Sequence, residues 1–174
     1  MKRVLILGLF VALAWNSHAV SVPTIGYAVG TQGYSLEDAS YRGHAALDFI
    51  WRPAGGPATL RIGTAVPTGD GWFSKVRFSL GADIRVLALR NHPFGSWISL
   101  ESQWAPAISA RVVRGIGKDD PVLLQAALQP LRFEVGGGYL SLLSPAVYAD
   151  LGGGWNHLPA GWGIALFDFG FYMR

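Results

Sequence analysis

Eleven charged side chains sit at alternating positions along apolar stretches of this 174-residue chain: Asp48, Arg61, Lys75, Arg77, Asp83, Arg85, Glu101, Arg132, Glu134, Asp150 and Asp168. Five are basic and six acidic. If folding gathers them on one face, the chemistry open to them is mutual ion pairing. Carboxylates and guanidinium groups withdrawn from water are costly when left alone and far less so when paired and hydrogen-bonded. Groups suited to catalysis or metal binding are sparse. His44, His92 and His157 have no second His or carboxylate at ligand spacing, and the last two lie close to Pro93 and Pro159 in turn-like stretches. All three read as solvent-exposed turn histidines. There is no Cys, hence neither a disulfide nor a thiolate metal site. No G-x-S-x-G elbow, P-loop or dinucleotide fingerprint occurs. The runs Gly136-Gly137-Gly138 and Gly152-Gly153-Gly154 precede neither a helical pattern nor a Lys, so they read as strand bends rather than phosphate cradles. On these grounds no catalytic residue, no metal and no cofactor is expected.

Placing the charged set on one face requires strands. From Trp72 to Ala88 the even positions are Trp72, Ser74, Val76, Phe78, Leu80, Ala82, Ile84, Val86 and Ala88, whereas Lys75, Arg77, Ser79, Gly81, Asp83 and Arg85 occupy the odd ones. That period of two is sustained well beyond the ~5–6 residues of an average strand and reaches the ~9–11 that cross a membrane. The C-terminus repeats it, with Ala165, Phe167, Phe169, Phe171 and Met173 against Asp168, Gly170 and Tyr172. Pro- and Gly-rich turn signals then divide the chain into eight candidate strands at 22–34, 42–52, 58–66, 72–90, 96–114, 122–135, 138–154 and 162–173. Within 122–154, Pro130, Pro145 and Gly136-Gly137-Gly138 leave turn or bulge open. An even number of strands with both termini at one end fits a closed antiparallel up-and-down barrel, one domain spanning 20–174.

Composition bears on which face looks inward. Charged residues make up 14% of the chain, against about 25% in an ordinary soluble domain. They can fill a narrow interior but are too few to cover a wet exterior. Trp51, Trp72, Trp104 and Trp162 lie near strand ends, as interfacial girdles do. The expected outward set is therefore apolar, including Leu47, Phe49, Trp51, Leu60, Ile62, Phe78, Leu80, Phe133 and Phe169. Ahead of the strands, Met1-Lys2-Arg3, an apolar run from Val4 to Trp15 and small residues at Ser17 and Ala19 form the pattern of a signal peptide cleaved after residue 19. Losing Lys2 and Arg3 would take the 14 basic residues to 12 against 11 acidic, and the formal charge from +3 to +1. The basic balance thus belongs to the leader, and no nucleic-acid partner is expected.

The leader, the strand count, the Trp72–Ala88 alternation and the Phe167/Phe169/Phe171 ending together resemble the small eight-stranded bacterial outer-membrane barrels, the OmpX-like, OmpW-like and OmpA-transmembrane-like class. That resemblance implies a Gram-negative outer-membrane location, contact with membrane lipid and lipopolysaccharide, and handling by the barrel-insertion machinery. Some members of the class modify lipids, one of them with a Ser and a His two apart on one strand. The mature chain has no His-x-Ser, so no catalytic residue is carried over. The expected role is a structural or interaction barrel with a charge-plugged interior, short loops and at most minor small-solute passage. A lipid-modifying membrane enzyme and a soluble lipocalin-like carrier stay open as alternatives. With both termini on one side, the loops of the opposite end would lie near 35–41, 67–71, 115–121 and 156–161.

Overall fold

The structure is a computed structural model that describes residues 23–36, 42–54, 56–68, 76–90, 102–117, 120–151 and 161–173. The expected leader, residues 1–19, lies outside them. The described residues form ten hydrogen-bonded segments: β1 (Thr24–Leu36), β2 (Arg42–Arg52), β3 (Ala58–Pro67), β4 (Arg77–Arg85), β5 (Gln103–Trp104), β6 (Ala107–Gly115), β7 (Val122–Gln129), β8 (Leu131–Val135), β9 (Gly138–Asp150) and β10 (Gly161–Met173). All pairings are antiparallel. They run β1-β2-β3-β4-β6-β7-β9-β10, and β10 returns to β1, which closes the wall. The segment β8 prolongs β7 along the same partner β9, and β5 prolongs β6 alongside β8. The wall therefore has eight strands in an up-and-down order, the all-β barrel that the turn spacing leads one to expect.

The alternation of side chains shows which way the barrel faces. On β2, His44, Ala46, Asp48, Ile50 and Arg52 are buried, while Leu47, Phe49 and Trp51 are exposed. On β4, Ser79 and Asp83 are buried, and Phe78, Leu80 and Ile84 are exposed. Ile62 and Leu80, in register with each other, are both 60% exposed. Among the strand residues whose side chains are described, Arg114 beside the strand end at Gly115 is the one exposed charged side chain. The exterior is thus apolar and the interior carries the charges.

Two details depart from the sequence reading. Phe133, expected on the exposed face, is 2% exposed, flanked in register by Trp104 and Leu140. The alternation of the long Trp72–Ala88 stretch stops with the wall at Arg85. Beyond it Val86, Leu87, Ala88, Leu89 and Arg90 are all exposed, and one bridge, Leu89 to Trp104, ties the chain back. The expected loops at 67–71 and 156–161 lie largely outside the described residues.

The ambiguous 122–154 region folds as a hairpin. Gly136-Gly137 form its turn, where Gly136 adopts a φ of 52° that a side chain would resist. At mid-height the alternation slips by one residue on four adjacent wall strands. Gln129 and Arg132 both point inward across Pro130-Leu131, Ser141 and Ser144 across Leu142-Leu143, and Ala165 and Asp168 across Leu166-Phe167. The β1–β10 register shifts between Gly30 and Gly33. Such bulges free backbone groups that an apolar surround leaves without partners. Side chains take them up: Leu166 N and Phe167 N donate to Thr31 Oγ1 at 3.0 and 3.4 Å, and Trp104 Nε1 donates to the Pro130 carbonyl at 2.7 Å.

Candidate functional site

The interior is organised around one guanidinium. Arg61 stands on β3 between Ile50 and Gly81 in register, so its side chain enters the barrel from mid-wall. Its Nε donates to Asp48 Oδ2 at 2.7 Å, Nη1 to Asp83 Oδ2 at 3.0 Å and Nη2 to Asp168 Oδ1 at 3.0 Å, with Nη1 also bonded to Asp168 Oδ2. A planar, five-donor fork can serve three carboxylates from three strands at once, which an ammonium cannot. Two glycines give the set its room. A Cβ at Gly63 would strike the Asp48 carboxylate, and one at Gly81 would strike Arg111.

Two further arginines complete the centre. Arg111 Nη1 donates to Asp48 Oδ2 at 3.1 Å, and its Nη2 lies 3.8 Å from Asp83 and 3.9 Å from Asp168. Arg132 Nη1 donates to Asp83 Oδ2 at 3.2 Å and Gln129 Oε1 at 2.8 Å, while its guanidinium stacks 4.0 Å over the Tyr139 ring. Tyr139 OH reaches Asp168 at 3.3 Å. Toward the end where β1 begins and β10 finishes, Glu134 accepts from Arg52 at 2.6 Å and Arg85 at 2.9 Å, with Arg132 Nη2 at 3.9 Å. Arg52 also donates to Tyr172 OH at 2.7 Å and lies over its ring. The central group balances three arginines against three aspartates. Adding Arg52, Arg85 and Glu134 leaves five cations against four anions.

Of the eleven residues singled out by alternation, the structure joins Asp48, Arg61, Asp83, Arg85, Arg132, Glu134 and Asp168 in this cluster. Arg77 and Asp150 lie at the opposite barrel end, in register with Gly115 and Leu123, away from it. Lys75 and Glu101 lie outside the described residues, as do His92 and His157. His44 is no turn residue: it sits on β2, 3% exposed, because it shares the inward phase of Ala46 and Asp48. Arg52 and Arg111 escaped the sequence reading. Arg52 ends its strand against Pro53 and reads as turn, while Arg111 and Arg114 fall on opposite faces of one strand and blur its polarity.

Asp83 accepts contacts from Arg61, Arg111 and Arg132, from strands beside and across the barrel. Asp83→Ala should cost about 3 kcal/mol, because it strands buried cations rather than merely deleting one attraction. Urea titration of the protein folded in lipid vesicles checks this. A midpoint equal to that of the parent would mean the arginines do not depend on Asp83.

Above the charged layer lies a cavity of about 20 Å³, walled in part by Arg61, Arg111, Gln125, Gln129 and Ser144. That is space for roughly one water-sized group. The arrangement can close a barrel with paired charge. It offers no nucleophile–base pair among the described residues. No protein-family model matches the chain, and no curated protein or solved structure is significantly similar to it.

Proposed function

We propose that this chain is an exported outer-membrane barrel, released from its leader after Ala19, whose interior is plugged by paired charge and which acts as a structural or interaction element of the membrane with only minor small-solute passage. The observation that carries this reading is the inverted burial: exposed Ile62, Phe78 and Leu80 outside, enclosed Asp48, Arg61 and Asp83 inside. A soluble lipocalin-like carrier needs the opposite distribution, since exposed apolar patches beyond a few hundred Å² are rare on soluble monomers. Strands of 9–13 residues in β1, β2, β3, β4, β6, β9 and β10 suit a tilted passage through a bilayer.

Cell fractionation followed by electrophoresis with and without boiling tests the reading. The protein should partition with the outer membrane, start at Val20, and migrate differently when unboiled. In planar bilayers the same material should show no steady conductance. A chain that stays soluble without detergent, or one that conducts as an open pore, would overturn it.

A further inference from the structure

Wall pairing lapses at several places, among them β1–β10 between Gly30 and Gly33, but the seam between β7–β8 and β9 has a proline on both lips. Pairing holds from Leu123↔Asp150 to Ala127↔Ala146 and again from Leu131↔Leu142 to Val135↔Gly138. Between those stretches, 128–130 and 143–145 form no ladder pairs with each other, although Leu128 and Gln129 pair with β6 and Ser144 and Pro145 with β10. At about 3.3 Å per residue the lapse is roughly 10 Å long. Each lip contains a proline, Pro130 and Pro145, so each lacks an N–H with which to close it. Leu143, opposite Pro130, has a φ of 50°. The outer lips are apolar, with Leu128 and Leu143 exposed.

Behind the seam the surface turns polar at once. Gln129 and Ser144 point inward from its lips and line the cavity above the charged layer. Their side chains are engaged, Gln129 Oε1 by Arg132 and Ser144 Oγ by Ser141 at 3.0 Å. Arg61 and Arg111, also in the cavity wall, are held by aspartates. Gln125 differs. It is 5% exposed, it lines the same cavity, and its Oε1 accepts no hydrogen bond among the described residues. A buried acceptor left open favours a donor that reaches it. The space admits a group of about one oxygen. A carboxylate or phosphate is too large and would bring acceptors to an acceptor. A group arriving from the apolar side must also be carried on an aliphatic chain.

We propose that this proline-lipped seam is a side entrance through which a membrane-dissolved aliphatic alcohol places its hydroxyl on Gln125. The proposal rests on the membrane reading above. It is tested on the protein folded in phosphatidylcholine vesicles, irradiated with a dodecan-1-ol that carries a chain diazirine or with the same hydrocarbon lacking the hydroxyl. Labelling of 122–129 and 143–150 should be about fivefold stronger with the alcohol, the worth of one buried hydrogen bond, and plain dodecan-1-ol should compete for it. Gln125→Met should abolish that preference. Pro130→Ala combined with Pro145→Ala, which restores both N–H groups, should lower labelling by either probe. Equal labelling by the two probes, spread around the barrel, overturns the site, and so does a preference that survives Gln125→Met. The hydroxyl preference and the competition are read on the parent chain, so they decide even if a variant fails to fold. Unboiled gels run alongside separate the two failures. A parent chain without a folded band in vesicles overturns the membrane reading and the entrance with it. A folded band without the preference overturns the entrance alone.

Discussion

Arg61→Met is expected to destabilise the protein by about 3–5 kcal/mol, a large share of the ~5–15 kcal/mol that holds a typical domain folded. Met roughly preserves the length and apolar volume of the side chain but removes the fork. Asp48 and Asp83 would keep contacts to Arg111 and Arg132, whereas Asp168 would lose its two-pronged partner and retain Tyr139 and a distant Arg111. The centre would hold two arginines against three aspartates in a space that water reaches only through one small cavity. Arg61→Lys keeps the charge but cannot span carboxylates from three strands, so it should fall between the parent and Arg61→Met. Adding Asp168→Asn to Arg61→Met should recover part of the loss, because it removes the charge that was stranded; a double-mutant cycle isolates that term. The readout is the urea midpoint in vesicles followed by tryptophan fluorescence. If Arg61→Met unfolds at the parent's midpoint, Arg61 is not the organising cation and the interior is solvated well enough to tolerate isolated carboxylates.

The barrel is legible because its physics is local. Once Phe78, Leu80 and Ile84 alternate with Ser79 and Asp83, every side chain of β4 is assigned to a face, and turn residues count the strands. The charged cluster is legible in part for the same reason, since Asp48, Arg61, Asp83 and Asp168 each lie in phase on a clear strand. Pairing is not legible. Which carboxylate meets which guanidinium depends on the curvature that brings β3 and β10 together across the interior, and Arg61–Asp168 is separated by 107 positions. Period-two reasoning also fails wherever the period is broken. The slips at Pro130, Leu143 and Leu166 move Arg132 and Asp168 into one interior with Gln129 and Ala165, and a strict alternation through 122–173 would put one member of each pair on the outer face. Prolines announce that such a break exists without saying which way the next side chain turns.

Leu80→Arg and Ser79→Arg, adjacent substitutions of the same kind, are expected to fail for opposite reasons. Leu80 is 60% exposed, in register with Ile62 and Val112 on the neighbouring strands. In water that site would accept a cation with little change. At mid-strand in hydrocarbon a cation there should cost ~2–4 kcal/mol. Ser79 is 6% exposed and faces the interior between Gly63 and Val113 in register. An arginine at 79 would add a sixth cation to an interior cluster that already holds five against four anions, in a space with little spare volume. Its penalty should persist in any solvent, whereas that of Leu80→Arg depends on lipid. Folding each variant in vesicles of short-chain and of long-chain phosphatidylcholine therefore separates them. The cost of Leu80→Arg should be smaller in the thinner bilayer, where the guanidinium can snorkel to the headgroups, and that of Ser79→Arg should stay constant. If Leu80→Arg folds as stably as the parent in both, the exposed apolar face is not in contact with lipid and the membrane reading fails with it.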